Sequence, residues 1–253
     1  MNIRLLPLFI TLLFTSCEKE TELERIKREA SQGDAEAQLG LAIIYDTVDG
    51  LPEYKVDAVK WCRMAAEQGH AGAQYYLGGM YAKGSGVSKD DSEAVKWFRK
   101  AAMQNDPAAQ TNLGVMYLMG QGVPEDQAEG LKWVRKAANQ GFAEAQYKMG
   151  TGFRTGYAVP LNRLEAANWY HKAALQRHAK AQYFLGELYA NGQGVPEDYV
   201  QSYAWMLLAK NGGDQKAKVN IEILAGEMTE DQISDAQLLV SKLRQQIENK
   251  DEP

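Results

Sequence analysis

The sequence predicts an all-α solenoid of about five to six helix–turn–helix units, each 36 residues long. Three observations predict it. A glutamine recurs at Gln38, Gln74, Gln110, Gln146 and Gln182, always 36 residues from the last. A tryptophan keeps the same interval at Trp61, Trp97, Trp133, Trp169 and Trp205. Between the two series lies a turn with recurring glycine, valine and proline. Two unrelated residue types locked to one period mark a repeat architecture, in which stacked neighbours share one extended core.

Composition sets the outer limits. The chain has 253 residues, 45% of them hydrophobic, and a net charge of −5. That is ample for a folded core and unlike a disordered chain. Mild acidity without a Lys/Arg-rich run argues against nucleic acid as a partner, since phosphate binding needs a basic face.

The chain begins with a separate element. Met1 to Ser16 carries one charged side chain, Arg4, then the apolar run Leu5 to Phe14. The run is too short to span a membrane and reads as a secretory leader. Phe14-Thr15-Ser16-Cys17 resembles a bacterial lipobox, with Phe14 departing from the usual leucine, so residues 1–16 are assigned as a lipoprotein-type signal and Cys17 as the lipidated residue. Acyl chains such as palmitate contribute about 0.8 kcal/mol per buried methylene, enough with several chains to tether the protein to a membrane. Glu18 stands where an aspartate would retain a lipoprotein at the inner membrane. The expected location is therefore the periplasmic face of the outer membrane. With Cys17 lipidated, Cys62 has no disulfide partner, and it shares its repeat position with Phe98, Val134, Tyr170 and Met206. That pattern fits a small buried hydrophobe better than a reactive thiol.

Residues 17–31 form the tether and a polar N-terminal capping helix, in which Arg25 stands at the tryptophan position. The solenoid proper covers 32–228. Its best-preserved unit is Asp106 to Gly141. The first helix runs to Met119, with Ala109, Gln110, Leu113, Gly114 and Tyr117 in one apolar sector. Gly120-Gln121-Gly122-Val123-Pro124 then supplies positive φ and a helix stop, and Glu125-Asp126 opens the second helix at its positive end. The first copy has a looser turn, Val48-Asp49-Gly50-Leu51-Pro52, and the fourth carries Phe153 and Ala158 at the tyrosine and second glycine positions. Residues 229–253 are read as a closing helix and tail, launched by the capping box Thr229–Gln232.

These motifs carry a family resemblance. Units of the form Ala-x-Ala-Gln-x-x-Leu-Gly-x-x-Tyr, Gly-x-Gly-Val-Pro, Ala-x-x-Trp-x-x-x-Ala-Ala are similar to Sel1-like repeats, relatives of the tetratricopeptide repeats. The resemblance covers roughly residues 20 to 246. It implies a right-handed superhelix of antiparallel helix pairs, with first helices lining a concave face, and a role in protein–protein interaction. Some cysteine-rich proteins of this kind pair cysteines within each repeat and are linked to penicillin binding or β-lactamase activity. This sequence lacks those pairs, and its one Ser-x-x-Lys, Ser16 to Lys19, straddles the expected cleavage point.

Nothing else in the chain points to catalysis, a metal or a cofactor. The Gly-x-Gly turns join helices and lack the strand and lysine of a phosphate loop. His70, His171 and His178 show no clustered partner at ligand spacing and read as surface residues. Specificity is expected where copies differ, one and two residues after the repeat glutamine. These rows read Leu39, Tyr75, Thr111, Tyr147, Tyr183 and Gly40, Tyr76, Asn112, Lys148, Phe184. Pointing away from the core, Tyr75, Tyr76, Thr111, Asn112, Tyr147, Lys148, Tyr183 and Phe184 are the candidate partner-binding groove, since aromatics are frequent interface anchors. The expected function is a non-enzymatic, monomeric scaffold tethered in the bacterial envelope that binds a protein or peptide. A cell-wall ligand-binding protein or weak hydrolase, and an inhibitor or immunity-type protein, are the alternatives.

Overall fold

The computed structural model describes residues 17–47 and 52–249, with side chains from 22 to 47 and from 53 to 249. The expected leader, the side chain of Cys17 with its expected lipidation, the turn from Val48 to Leu51 and the last four residues lie outside that range. Among the described residues there are thirteen helices and no strand. The fold class is an all-α solenoid of helix pairs.

The chain divides into two compact units, Met1–Glu125 and Asp126–Pro253. The first holds α1 (Cys17–Ser31), α2 (Ala35–Thr47), α3 (Pro52–Glu67), α4 (Ala71–Lys83), α5 (Asp91–Met103) and α6 (Pro107–Met119). The second holds α7 (Gln127–Asn139), α8 (Ala143–Thr155), α9 (Arg163–Ala174), α10 (Ala179–Ala190), α11 (Tyr199–Asn211), α12 (Gln215–Glu227) and α13 (Glu230–Glu248).

The repeat positions explain the packing. Three residues after each repeat glutamine stand Leu41, Leu77, Leu113, Met149 and Leu185, all at most 2% exposed. Truncating such a side chain to alanine costs about 2–5 kcal/mol. One residue further on, glycine lets the paired helix come close. A Cβ at Gly150 would lie 2.6 Å from the Tyr170 ring, and one at Gly186 would lie 2.7 Å from Met206. The first copy has Ala42 there, and it also carries the smallest facing residue of the series, Cys62. Cys62 is buried, its Sγ lies 3.3 Å from the Ala73 carbonyl oxygen, and burial pushes the thiol up to about 12, which keeps it protonated and inert.

The helix ends follow their chemistry. Asp106 caps α6 by accepting from the Ala109 amide at 2.6 Å, and Gly120 ends that helix with φ +64°. Asp126 caps α7, so the second helix of that unit starts at Gln127 rather than Glu125. The Thr229–Gln232 capping box is formed and opens α13. Val240, Leu243 and Ile247 of α13 close the core around Tyr170, Leu185, Leu188 and Trp205.

The tryptophans are less uniform than their period suggests. Trp97 and Trp205 are buried. Trp61, Trp133 and Trp169 are half-buried. Lysines lie over three of the rings, with Lys100 3.9 Å from the Trp97 centroid, Lys136 5.4 Å from Trp133 and Lys172 4.3 Å from Trp169.

Candidate partner-binding face

Each unit brings part of the predicted groove together. In the first, the Tyr76 hydroxyl donates to Asp46 Oδ2 at 2.6 Å, and the Ser85 hydroxyl donates to Asp46 Oδ1 at 2.8 Å. Burial and then the Asp46 bond push the Tyr76 phenol up. Tyr75 stacks obliquely on Phe98, 5.9 Å between centroids, and hydrogen-bonds Asn112. Thr111 corrects the prediction. It is 2% exposed, and its hydroxyl donates back to the Pro107 carbonyl at 2.7 Å, so it serves its own helix.

The second unit gathers a denser group on α8 and α10. The Phe184 ring lies 5.6 Å from Tyr170, 6.1 Å from Tyr147 and 5.2 Å from Tyr183. The guanidinium of Arg154 sits 4.4 Å from the Phe184 centroid while its Nε donates to the Tyr170 hydroxyl at 3.2 Å. His178 stacks on Tyr147 at 4.7 Å. Glu144 joins the two helices, meeting Lys148 at 3.2 Å and His178 at 2.9 Å. The hydrogen bond from His178 holds the Glu144 carboxyl down to about 2, against the opposing effect of partial burial and with further help from Lys148.

Tyr183 is the second correction. It is 7% exposed and belongs to the core beside Ile221 and Met206. Its hydroxyl donates to Glu187 at 2.6 Å and accepts from Asn220 at 3.3 Å. Burial, then the Glu187 bond, raises the phenol to about 12. One repeat further along, Val219, at the Tyr183 position, and Ile223, at the Glu187 position, stand on α12 at 58% and 59% exposure. The face of α8, α10 and α12 therefore runs from charged and aromatic side chains to bare aliphatic ones.

Sequence reasoning missed Glu144, Arg154 and the histidines. His70 and His178 are helix N-caps, not solvated residues. Each Nδ1 accepts from the backbone amide three residues on, Ala73 or Ala181, at 3.1 Å, and each Nε2 meets a glutamate, Glu36 or Glu144, at 2.9 Å. A signal was present. The cap position reads Asp34, His70, Asp106, His178 and Asp214 in five copies, and glutamate stands 34 residues before each histidine but before neither Asp106 nor Asp214. No group of three or more metal-ligating side chains occurs among the described residues.

The repeat model for Sel1 matches residues 35–70, 71–106, 107–142, 143–178 and 179–214. The chain belongs to the Sel1-repeat family. Among solved structures it is similar to a protective antigen present in uropathogenic Escherichia coli strains, described as displaying an SLR fold. The identity is 36% and the TM-score 0.75, covering 88% of this chain and 48% of that one. A Sel1 repeat protein from Oxalobacter formigenes is 35% identical with a TM-score of 0.74, covering 83% and 60%. A Klebsiella pneumoniae protein is 20% identical with a TM-score of 0.54, covering 80% and 99%, and shows the fold alone. The chain thus spans about half to three-fifths of the first two solved chains. No curated protein matches it. The Sel1 repeat is a protein-interaction scaffold, and its period accounts for the shared core of this chain but not for the side chains at 148, 154 and 184.

Proposed function

We propose that this Sel1-repeat protein is a non-enzymatic scaffold that is lipid-anchored through Cys17 in the bacterial envelope. Its partner is a protein or peptide held on the first-helix face of the second unit. One observation carries the reading. Tyr147, Lys148, Arg154 and Phe184 combine stacked rings with cations, and Val219 and Ile223 lie exposed in the next helix of the same face. Aromatic and arginine side chains are the commonest energetic anchors of protein interfaces, and exposed aliphatic side chains beside them mark a surface with something to cover it. The anchor rests on the lipobox-like Phe14 to Cys17, and no helix among the described residues is long and apolar enough to cross a membrane.

The test is affinity capture from envelope extracts with wild type and with the Phe184→Ala/Ile223→Ser variant. A specific polypeptide retained by wild type and lost by the variant, with helical circular dichroism unchanged, supports the face. Equal retention by both removes it. Metabolic labelling with a fatty-acid analogue tests the anchor separately, since Cys17→Ser abolishes the label if Cys17 is the lipidated residue.

A further inference from the structure

Eight residues after the repeat glutamine stand Asp46, Ala82, Leu118, Arg154 and Ala190, with no chemistry in common. Stacking of the repeats therefore requires no cation at that position. Asp46 is satisfied inside the first unit, one carboxylate oxygen taken by Tyr76 and the other by Ser85. Arg154 is satisfied only in part. Its Nε donates to the Tyr170 hydroxyl at 3.2 Å, and its guanidinium lies 4.4 Å from the Phe184 ring centroid. Among the described residues its two Nη groups donate no hydrogen bond, and no carboxylate stands within ion-pair distance of them. They are not buried either, since the buried side-chain atoms without a partner belong to Trp97, Ser202 and Trp205.

What remains open is a fork. A guanidinium with its Nε fixed and a ring beside it presents its terminal N–H groups in a set direction, so little freedom is lost when two parallel hydrogen bonds form. A carboxylate matches that fork. The acids nearby in the sequence do not supply it. Glu144 is bonded to Lys148 and His178, and Glu187, one turn after Phe184, accepts from Tyr183. A phosphate would bring up to two charges to a single open cation, because Lys148 is already paired with Glu144.

We propose that Arg154 receives the side-chain carboxylate of an aspartate or glutamate within the partner segment. An internal residue fits better than a chain end. The face continues beyond Arg154 and Phe184 to the exposed Val219 and Ile223 of α12, so a segment that covers it runs past the pair. Apolar residues flank the acid and cover those side chains. This inference rests on the first-helix face of the second unit being the partner face.

Nuclear magnetic resonance on the ¹⁵N-labelled chain tests it. The reporters are the Arg154 Nε–H, held by Tyr170, and the Phe184 and Ile223 backbone amides. The probes are acetyl-Ala-Leu-Glu-Leu-Ala-amide, its Gln counterpart, and that Gln peptide with a free C-terminal carboxylate. The glutamate peptide is expected to give saturable shifts at all three reporters. It should bind at least about tenfold more tightly than either glutamine peptide, the factor that a hydrogen bond to a charged group supplies. Arg154→Gln should erase that preference, and Arg154→Lys, which keeps the charge without the fork, should retain only part of it. If glutamate and glutamine peptides bind the face equally, or the preference survives in Arg154→Gln, the carboxylate site is overturned and the face stands. A free-carboxylate glutamine peptide that binds as tightly as the glutamate peptide overturns the choice of an internal residue. No saturable shift from any probe overturns the site together with the face.

Discussion

The guanidinium of Arg154 stands 4.4 Å from the ring centroid of Phe184, the residue 30 positions later in the next copy. The same two repeat positions in the first unit hold Asp46 and Tyr76, joined by a 2.6 Å hydrogen bond. The repeat therefore fixes which positions meet and leaves the chemistry of the meeting free. Arg154→Ala removes the cation from the ring and the donor from Tyr170. It should destabilise the chain by about 1 kcal/mol, read from the urea midpoint, with no change in helix content.

Adjacent glycines on α4 should respond with opposite sign. A Cβ at Gly78 would lie 2.8 Å from the Phe98 ring, whereas one at Gly79 meets nothing within 4 Å. Gly78→Ala should destabilise by about 1–3 kcal/mol through overpacking. Gly79→Ala should stabilise by about 0.8–1 kcal/mol through helix propensity. Paired urea titrations decide the signs.

Glutamines 30 residues apart form rungs, with Gln68, Gln104 and Gln176 donating Nε2 to the Oε1 of Gln38, Gln74 and Gln146, each at 2.8 Å. Removing a complete glutamine rung should cost more than removing the incomplete one. Gln146→Leu strands the Ala138 carbonyl and takes an acceptor from Gln176, whereas Gln182→Leu strands the Ala174 carbonyl and, with Gly212 at the donor position, takes an acceptor from no rung glutamine. The difference is expected to be about 1 kcal/mol in favour of the Gln182 variant. Equal costs would mean that the rungs contribute nothing beyond the local bond.

The histidine caps predict a covariation. His178→Asp keeps a capping acceptor but places a carboxylate against Glu144. It should be less stable than wild type, by about the 1 kcal/mol that a cap contributes. Adding Glu144→Lys copies Lys180 and Asp214, the residues at the same repeat positions one copy later, and should recover most of that loss. Thermal melts of the two variants provide the comparison.

Acid should act on the same pair. The folded carboxyl of Glu144 is held at about 2, below its ordinary 4.5, so its contribution is fully present above 4.5 and disappears as the pH falls towards 2. The urea midpoint of wild type should exceed that of Glu144→Gln at neutral pH, and the gap should close across that acid window. A gap that stays constant to pH 2 would assign the Glu144 effect to packing.

The periodic side of the molecule was legible from residue types alone. Gln38 to Gln182 and Trp61 to Trp205 set the period, and Gly120, Gly122 and Pro124 placed a turn that the helices respect. The candidate face was legible only in part. Tyr147, Lys148 and Phe184 lie in ring and cation contact, but Thr111 and Tyr183 are buried, because a helical wheel measures angle and not the depth at which a neighbouring helix covers it. Arg154 escaped notice because nothing in one helix reveals a partner 30 residues away. The second glutamine series, Gln68, Gln104, Gln140 and Gln176, was visible in the sequence but silent until the first series was seen to accept from it.

Site-specific photo-crosslinking in living cells tests the binding face most directly. A photoreactive residue replaces Lys148 on α8 in one strain and the exposed Lys132 on α7 in another. If the first-helix face of the second unit holds the partner, position 148 yields a discrete crosslinked product that Phe184→Ala diminishes, and position 132 does not. Crosslinking from 132 and not from 148, or a product at 148 indifferent to Phe184→Ala, would contradict it.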